Sequence, residues 1–421
     1  MIKVLEVIRQ GQIGGGESHL LDLIRFFDKK QIEPVCLSFT DGEMISQLKK
    51  MGIKCHIIET SKAFDVKIQK RIKQLIKSEN IQLIHAHGSR AASNVIWSAK
   101  NLHIPLIYTV HGWSFHDDQS AIIKHLRAYS EKIICHYSDE IICVSQSNAN
   151  TGKDSFGLKD YHVVENGINL ERFNPSNQYQ NLRPEMNFEE NDVVVGFIAR
   201  CTKQKAPIDF LKGLEIAHKQ NSKIKGLFVG EGEMDNEVDT YITSHQMETY
   251  IHRTSFRTDV PELLHAIDVY CLPSLWEGLS IALLEAMAME KAIIATPTDG
   301  TNEVIHDKEN GVIIPFQDAQ ALAEAINELA KSPDLCMKYG QAARSIVEKR
   351  FNAKRVAETV TDLYYSTIKN HQTDSARDRP AVSRFPFLHH EPHHGNPAST
   401  GGHRHCSEYS ADNNRDDLYS R

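Results

Sequence analysis

The chain has 421 residues, 41% hydrophobic and 24% charged, which is ordinary globular composition and enough chain for two α/β cores rather than one. Its net charge of −7 argues against non-specific wrapping of nucleic acid. No run of about 18 apolar residues occurs, so no spanning helix is expected, and the eight cysteines form no C-x-x-C pair, which disfavours a disulfide framework or structural zinc site and fits a reducing cytoplasm.

The first five residues lack a charged leader with a long apolar core and read as a strand, not a signal peptide. β-branched runs at 2–8, 33–39, 54–58, 82–86, 105–110, 140–144 and 162–165 predict strands, separated by helical stretches such as 16–28, 66–79 and 90–101. Gly14-Gly15-Gly16-Glu17 follows the first strand and opens a helix, without the G-x-G-x-x-G dinucleotide spacing. The 67–77 segment is a basic amphipathic helix: either it packs on a sheet with a solvated cationic face, or that face meets anionic lipid. His85-Ala86-His87-Gly88 and Thr109-Val110-His111-Gly112 each end a strand, the usual place for ligand-facing residues in parallel sheets. The sequence distance from His85 and His87 to His111 offers no metal-ligand spacing.

From Asn174-Pro175-Ser176-Asn177 to Arg183-Pro184 the composition is that of a linker, and 173–192 divides a first domain, 1–172, from a second, 193–352. The second series of strands is predicted at 193–199, 225–230, 250–253, 268–272, 292–295 and 312–314, with helices at 206–220 and 319–331. Two series of strand–helix alternation imply two doubly wound parallel sheets. Arg200 and Lys205 follow the first of these strands, and two fixed cations there suit a diphosphate. Gly278 precedes a helix start near Ser280, whose N–H groups can hold a phosphate. Glu285 has Ile281, Ala282, Ala288 and Met289 as helical neighbours, so a ligand or a neighbouring Lys or Arg must satisfy it. Helical rise would separate Glu277 from Glu285 by about 12 Å, matching a ligand with polar groups at both ends and an anion between.

The context S-L-W-E-G-L-S-I-A-L-L-E-A-M (274–287), after S-F-R-T-D-V-P-E-L-L-H-A-I-D-V-Y (255–270), resembles family 4 of retaining glycosyltransferases, over about residues 1 to 370. Val164-Glu165-Asn166-Gly167-Ile168-Asn169, followed by Phe173, resembles that family's hinge. The resemblance implies the GT-B fold and transfer of a sugar from a nucleoside diphosphate, most simply UDP, to a hydroxyl of a glycan or lipid-linked acceptor in surface polysaccharide or glycolipid synthesis. It implies that Arg200 and Lys205 bind the donor diphosphate, that Glu277 holds the sugar and Glu285 the ribose, and that His111 contacts the transferred sugar. By the same likeness Gly15 and Gly16 line the cleft, Gly230 and the main chain around Arg257 sit beside the nucleotide, and Gly278, Leu279 and Ser280 present the helix start. No D-x-D motif is evident, so neither metal nor other cofactor is expected beyond the nucleotide-sugar co-substrate. Expected surroundings are the cytoplasm and the cytoplasmic membrane face. Ala199, Ser255 and 288–296 depart from the pattern where relatives carry Gly or Pro, which bears on turns rather than chemistry. Two rival readings are a nucleotide-sugar epimerase of the same fold and a non-catalytic subunit of a polysaccharide assembly. A helix at 353–370 is expected to cross back to the first domain. The His-rich stretch 371–421, with His389-His390, His393-His394 and Cys406, reads as a disordered tail.

Overall fold

The computed structural model describes residues 1–115 and 119–375. Strands β1 (Ile2–Ile8), β2 (Ile32–Ser38), β3 (Lys54–Ile57), β4 (Leu83–His87), β5 (Leu106–Val110), β6 (Glu140–Cys143) and β7 (His162–Val163) form one parallel sheet, ordered β3-β2-β1-β4-β5-β6-β7. Strands β8 (Val193–Ile198), β9 (Ile224–Val229), β10 (Ile251–Thr254), β11 (Val269–Leu272), β12 (Ala292–Ala295) and β13 (Val312–Ile313) form a second, ordered β10-β9-β8-β11-β12-β13. Every run predicted as a strand is one, with ends displaced by at most two residues. The chain reverses its direction of strand addition at β1/β4 and at β8/β11. These are the points where crossover loops diverge and leave a crevice at the strands' carboxyl ends.

Alternation along the central strands sends side chains into two cores. Leu5 and Val7 of β1 face Ile72, Leu75, Val95 and Ala99, while Val4 and Ile8 face Leu20, Ile24, Val356 and Val360. The last helix, Ala353–Ser375, therefore covers one face of the first sheet, although its sequence follows the second. It runs past the predicted end at 370, so His371 belongs to a helix rather than to a tail, and its ring meets Asp139 at 3.2 Å. The remainder of the predicted His-rich tail, including His389, His390, His393, His394 and Cys406, lies outside the described residues.

The 173–192 segment is not loose. Phe173, Leu182, Met186 and Phe188 are buried in the core of the second sheet, and Arg183 grips Asp268 through two 2.8 Å hydrogen bonds. Its polar composition hid four apolar anchors. The basic helix, Gln69–Ser78, buries Ile72, Leu75 and Ile76 and leaves Lys70, Arg71 and Lys77 exposed. No helix among the described residues is long and apolar enough to cross a membrane.

Candidate functional site

The predicted residues lie in loops and helix starts that follow the carboxyl ends of strands, several of them at the two switch points. In the second domain β8 leads to Arg200, which is exposed and forms no ion pair among the described residues. The next turn, Lys203–Lys205, carries Lys205 inward, and it is buried. Lys205 Nζ pairs with Glu277 Oε1, which also accepts from Ser274 Oγ at 3.0 Å. Gln204 Nε2 bonds Trp276 O at 2.9 Å and ties the two loops together. The sequence reading gave Lys205 and Glu277 separate partners, whereas here they neutralise each other. Either one left alone would be a nearly buried, uncompensated charge.

Glu277 lies in the loop after β11, and the helix Ile281–Ala288 begins only later. Helical rise therefore does not measure the Glu277–Glu285 spacing. Ser280 caps that helix by accepting from Leu283 N. The main-chain N–H groups of Gly278, Leu279 and Ser280 donate no hydrogen bond among the described residues, so three donors stand open at a helix start. Glu285 is half-buried one turn further on, and its carboxylate makes no hydrogen bond or ion pair among the described residues. Burial pushes its carboxyl up to about 8, against the pull of Arg172 and with a further push from Asp22. Both carboxylates bear on Tyr270, whose hydroxyl is raised first by burial and then by Glu285 and Glu277.

Gly230 follows β9 at φ +146°, and a Cβ there would lie 1.8 Å from Ala199 O. Only glycine lets this loop approach the one that carries Arg200. The Arg257 side chain is held by Asp259 and by Glu185 at 2.9 Å, which leaves only its main chain for a ligand. Thr202 Oγ1, between Arg200 and Lys205 in sequence, is buried without a hydrogen-bond partner among the described residues.

The first domain meets this wall directly. Asn166 Nδ2 donates to Leu279 O at 3.0 Å, and Ser147 N to Glu303 at 2.9 Å. A Cβ on Gly15 would stand 3.8 Å from Ile281, one on Gly278 3.4 Å from His111 O, and one on Gly16 3.4 Å from the His111 ring. Glu17 is buried, and burial raises its carboxyl, opposed by Arg9 and Arg200. Arg9, which follows β1, escaped the sequence reading. Burial lowers its pKa most, and the nearby cations Arg200 and Arg90 lower it further, so three arginines share one neighbourhood. An Arg directly after a strand at a switch point was the available signal.

His87 and His111 were separated in the sequence reading by their distance along the chain. Adjacent strands bring them together: His87 Nδ1 lies 3.1 Å from His111 Nε2. His19, on the helix Gly15–Phe26, sets its ring edge-on to His111 with centroids 5.1 Å apart. It was missed because a His on an amphipathic helix looks like any other polar residue. Burial lowers the pKa of His19 to about 3 and that of His111 well below its usual value, so both rings are neutral at pH 7. Two groups have ligand atoms within 4.8 Å of one another, His19/His87/His111 and Glu6/His85/His87, the geometric minimum for holding a metal ion. In the second group hydrogen bonds already engage the ring nitrogens of both histidines.

Two family models match the chain: "Glycosyltransferase Family 4" over residues 13–172 and "Glycosyl transferases group 1" over residues 178–346. The UDP-Gal:alpha-D-GlcNAc-diphosphoundecaprenol alpha-1,3-galactosyltransferase of Escherichia coli is 26% identical, over 73% of this chain and 81% of its own. The N,N'-diacetylbacillosaminyl-diphospho-undecaprenol alpha-1,3-N-acetylgalactosaminyltransferase of Campylobacter jejuni is 25% identical, over 81% of this chain and 93% of its own. Among solved structures, Anabaena HepE in complex with UDP and glucose superposes with a TM-score of 0.77 at 19% identity, covering 87% of this chain and all of that one. With two parallel-sheet domains meeting at their switch points and both halves matched by family models, this chain is a glycosyltransferase of family 4 with the GT-B fold.

Proposed function

We propose that the protein transfers a sugar from a UDP-linked donor to a hydroxyl of a diphosphate-linked lipid sugar or a growing surface glycan, with retention at the anomeric carbon and without a metal ion. The observation that carries this reading is the open helix start at Gly278, Leu279 and Ser280, set beside unpaired Arg200 and facing His111 across the domain contact. Free N–H donors and a nearby cation stabilise the charge that develops on a departing diphosphate. Lys205 exchanges part of its bond with Glu277 for the diphosphate, which frees Glu277 to take the sugar hydroxyls. Glu285, half-buried and without a partner, accepts the ribose hydroxyls. His111 contacts the transferred sugar. Arg9 and Arg90, on the first-domain side, suit an acceptor that carries its own phosphates.

HepE has been crystallised with UDP-glucose, and the two curated relatives act, by name, on undecaprenol-diphosphate sugars, which supports both halves of the reading. Contact with the cytoplasmic membrane face is part of the proposal. The helix Ala121–Tyr137 exposes Ile122, Ile123, Leu126 and Tyr129, and Arg127 and Lys132 lie on the same helix. The helix Ser89–Leu102 packs between this helix and the basic one at Gln69–Ser78. The decisive test offers a panel of nucleotide sugars with a short-chain polyprenyl-diphosphate sugar as acceptor. One UDP-sugar is expected to turn over, giving a product whose anomeric proton coupling matches that of the donor, equally well in EDTA. Inversion of that coupling, or turnover lost in EDTA and restored by Mg²⁺ or Mn²⁺, would overturn the corresponding part.

A further inference from the structure

The first sheet buries a polar network that the transfer reading leaves unused. Glu6, His85 and His87 are buried on β1 and β4, on the face covered by the last helix, where Tyr364 is buried too. Thr109 Oγ1 lies 2.7 Å from His85 Nε2, and His85 Nδ1 lies 2.6 Å from the Tyr364 hydroxyl. Tyr364 donates to Glu6 Oε1 at 2.8 Å, Glu6 Oε2 lies 3.0 Å from His87 Nε2, and His87 Nδ1 lies 3.1 Å from His111 Nε2.

With the carboxylate ionised and the imidazoles neutral, one proton assignment satisfies every contact. Glu6 only accepts, so Tyr364 must donate to it and accept from His85 Nδ1–H, leaving His85 Nε2 to accept from Thr109. On the other oxygen His87 donates through Nε2–H. Its Nδ1 is then bare and accepts from His111 Nε2–H. His111 Nδ1 is thereby left as a lone pair, and it makes no hydrogen bond among the described residues.

We propose that Glu6 and His87 are positioning residues that hold His111 in its Nε2–H tautomer, so that Nδ1 accepts a hydrogen bond from a hydroxyl of the transferred sugar, with Tyr364 orienting the carboxylate from the last helix. This rests on the reading that His111 faces that sugar. The same logic governs imidazoles elsewhere: the bond on one ring nitrogen sets what the other can do. The network takes no part in bond making. It decides whether the cleft shows the sugar an acceptor or a donor.

The test uses the full-length protein labelled with 15N-histidine, with the His111 signals assigned by their loss in His111→Gln. In the wild type His111 is expected protonated on Nε2 and bare on Nδ1. In Glu6→Gln the new amide donates to His87 Nε2, His87 then carries its proton on Nδ1, and His111 switches to Nδ1–H. Transfer kcat is expected to fall about 10- to 100-fold, on the scale seen when an outer partner of a metal-ligating imidazole is lost, with UDP affinity within about threefold of wild type. Tyr364→Phe keeps the Glu6–His87 bond and should leave the His111 tautomer unchanged. A wild-type His111 protonated on Nδ1, or a Glu6→Gln protein whose tautomer does not move, overturns the proposal. The wild-type spectrum decides even if Glu6→Gln does not fold. A switched tautomer with undiminished kcat also overturns the assigned role, while wild-type turnover separately reports whether the transfer reading stands.

Discussion

Glu285 is a half-buried carboxyl without a hydrogen-bond partner for its side chain among the described residues. Its carboxyl is lifted by burial from near 4.5 to about 8, and no cation is bonded to it. Between those two values the folded protein holds a proton that the unfolded chain has released, so this group makes stability fall as pH rises through the window. Glu285→Gln removes that dependence. It is expected to raise the melting temperature of the ligand-free protein at pH 8.5, by roughly 1 °C for each kcal/mol recovered, while weakening donor binding. The wild type should bind its donor better as the carboxylate forms, with KM falling about tenfold between pH 7 and 9, because the ionised fraction rises about tenfold around a pKa near 8. A KM flat across that range would remove Glu285 from the ribose. The Lys205–Glu277 pair makes the opposite point: this charge pair is already closed in the free protein, so under the proposed function it opens for the donor.

At the scale of elements the site depends on how closely loops approach. The turn after β9 passes Ala199 O with only a hydrogen where a side chain would stand. Gly230→Ala introduces a 1.8 Å clash at positive φ, and it is expected to cost at least about 2 kcal/mol in urea unfolding and to abolish donor binding as the Ala199–Arg200 turn is displaced. Stability within about 0.5 kcal/mol of wild type would mean that this turn relaxes freely. The last helix is the other decisive element. It follows the second sheet in sequence yet fills the core of the first with Val356, Val360 and Tyr364, so it fastens the two domains by burial rather than by a flexible tether.

For the whole molecule, the domain contact and one outer layer of helices matter most. Exposed Ile122 and Leu126 share that layer with the cationic Lys70 and Arg71. Apolar side chains beside basic ones favour an anionic bilayer surface, at about 1 kcal/mol for each basic residue near it. Flotation with phosphatidylglycerol vesicles should therefore weaken about fivefold for each charge neutralised, as in Lys70→Gln and Arg71→Gln, and should be lost when Ile122 and Leu126 both become Asp. Binding that survives both changes would leave the layer simply solvated.

Strand positions, the alternation of two domains and the Glu277/Glu285 context were legible in the chain because each depends on neighbours close in sequence: side-chain period, turn chemistry and helix-start pattern. The family followed from the same local motifs. What the sequence did not disclose is everything set by distant partners. The anchoring of the 173–192 segment, the pairing of Lys205 with Glu277, the presence of Arg9 beside Arg200, and the path from Tyr364 through Glu6 to His111 all join residues that lie far apart along the chain. Sheet order decides these contacts. β1 and β4 are neighbours because of a crossover, and β4 and β5 lie side by side although a helix separates them in sequence, so His87 meets His111 only after the sheet has assembled. Local pattern determines which residues can form a strand end or a helix start. Only long-range packing decides which of those ends face one another, and so which charges pair and which remain open to a ligand.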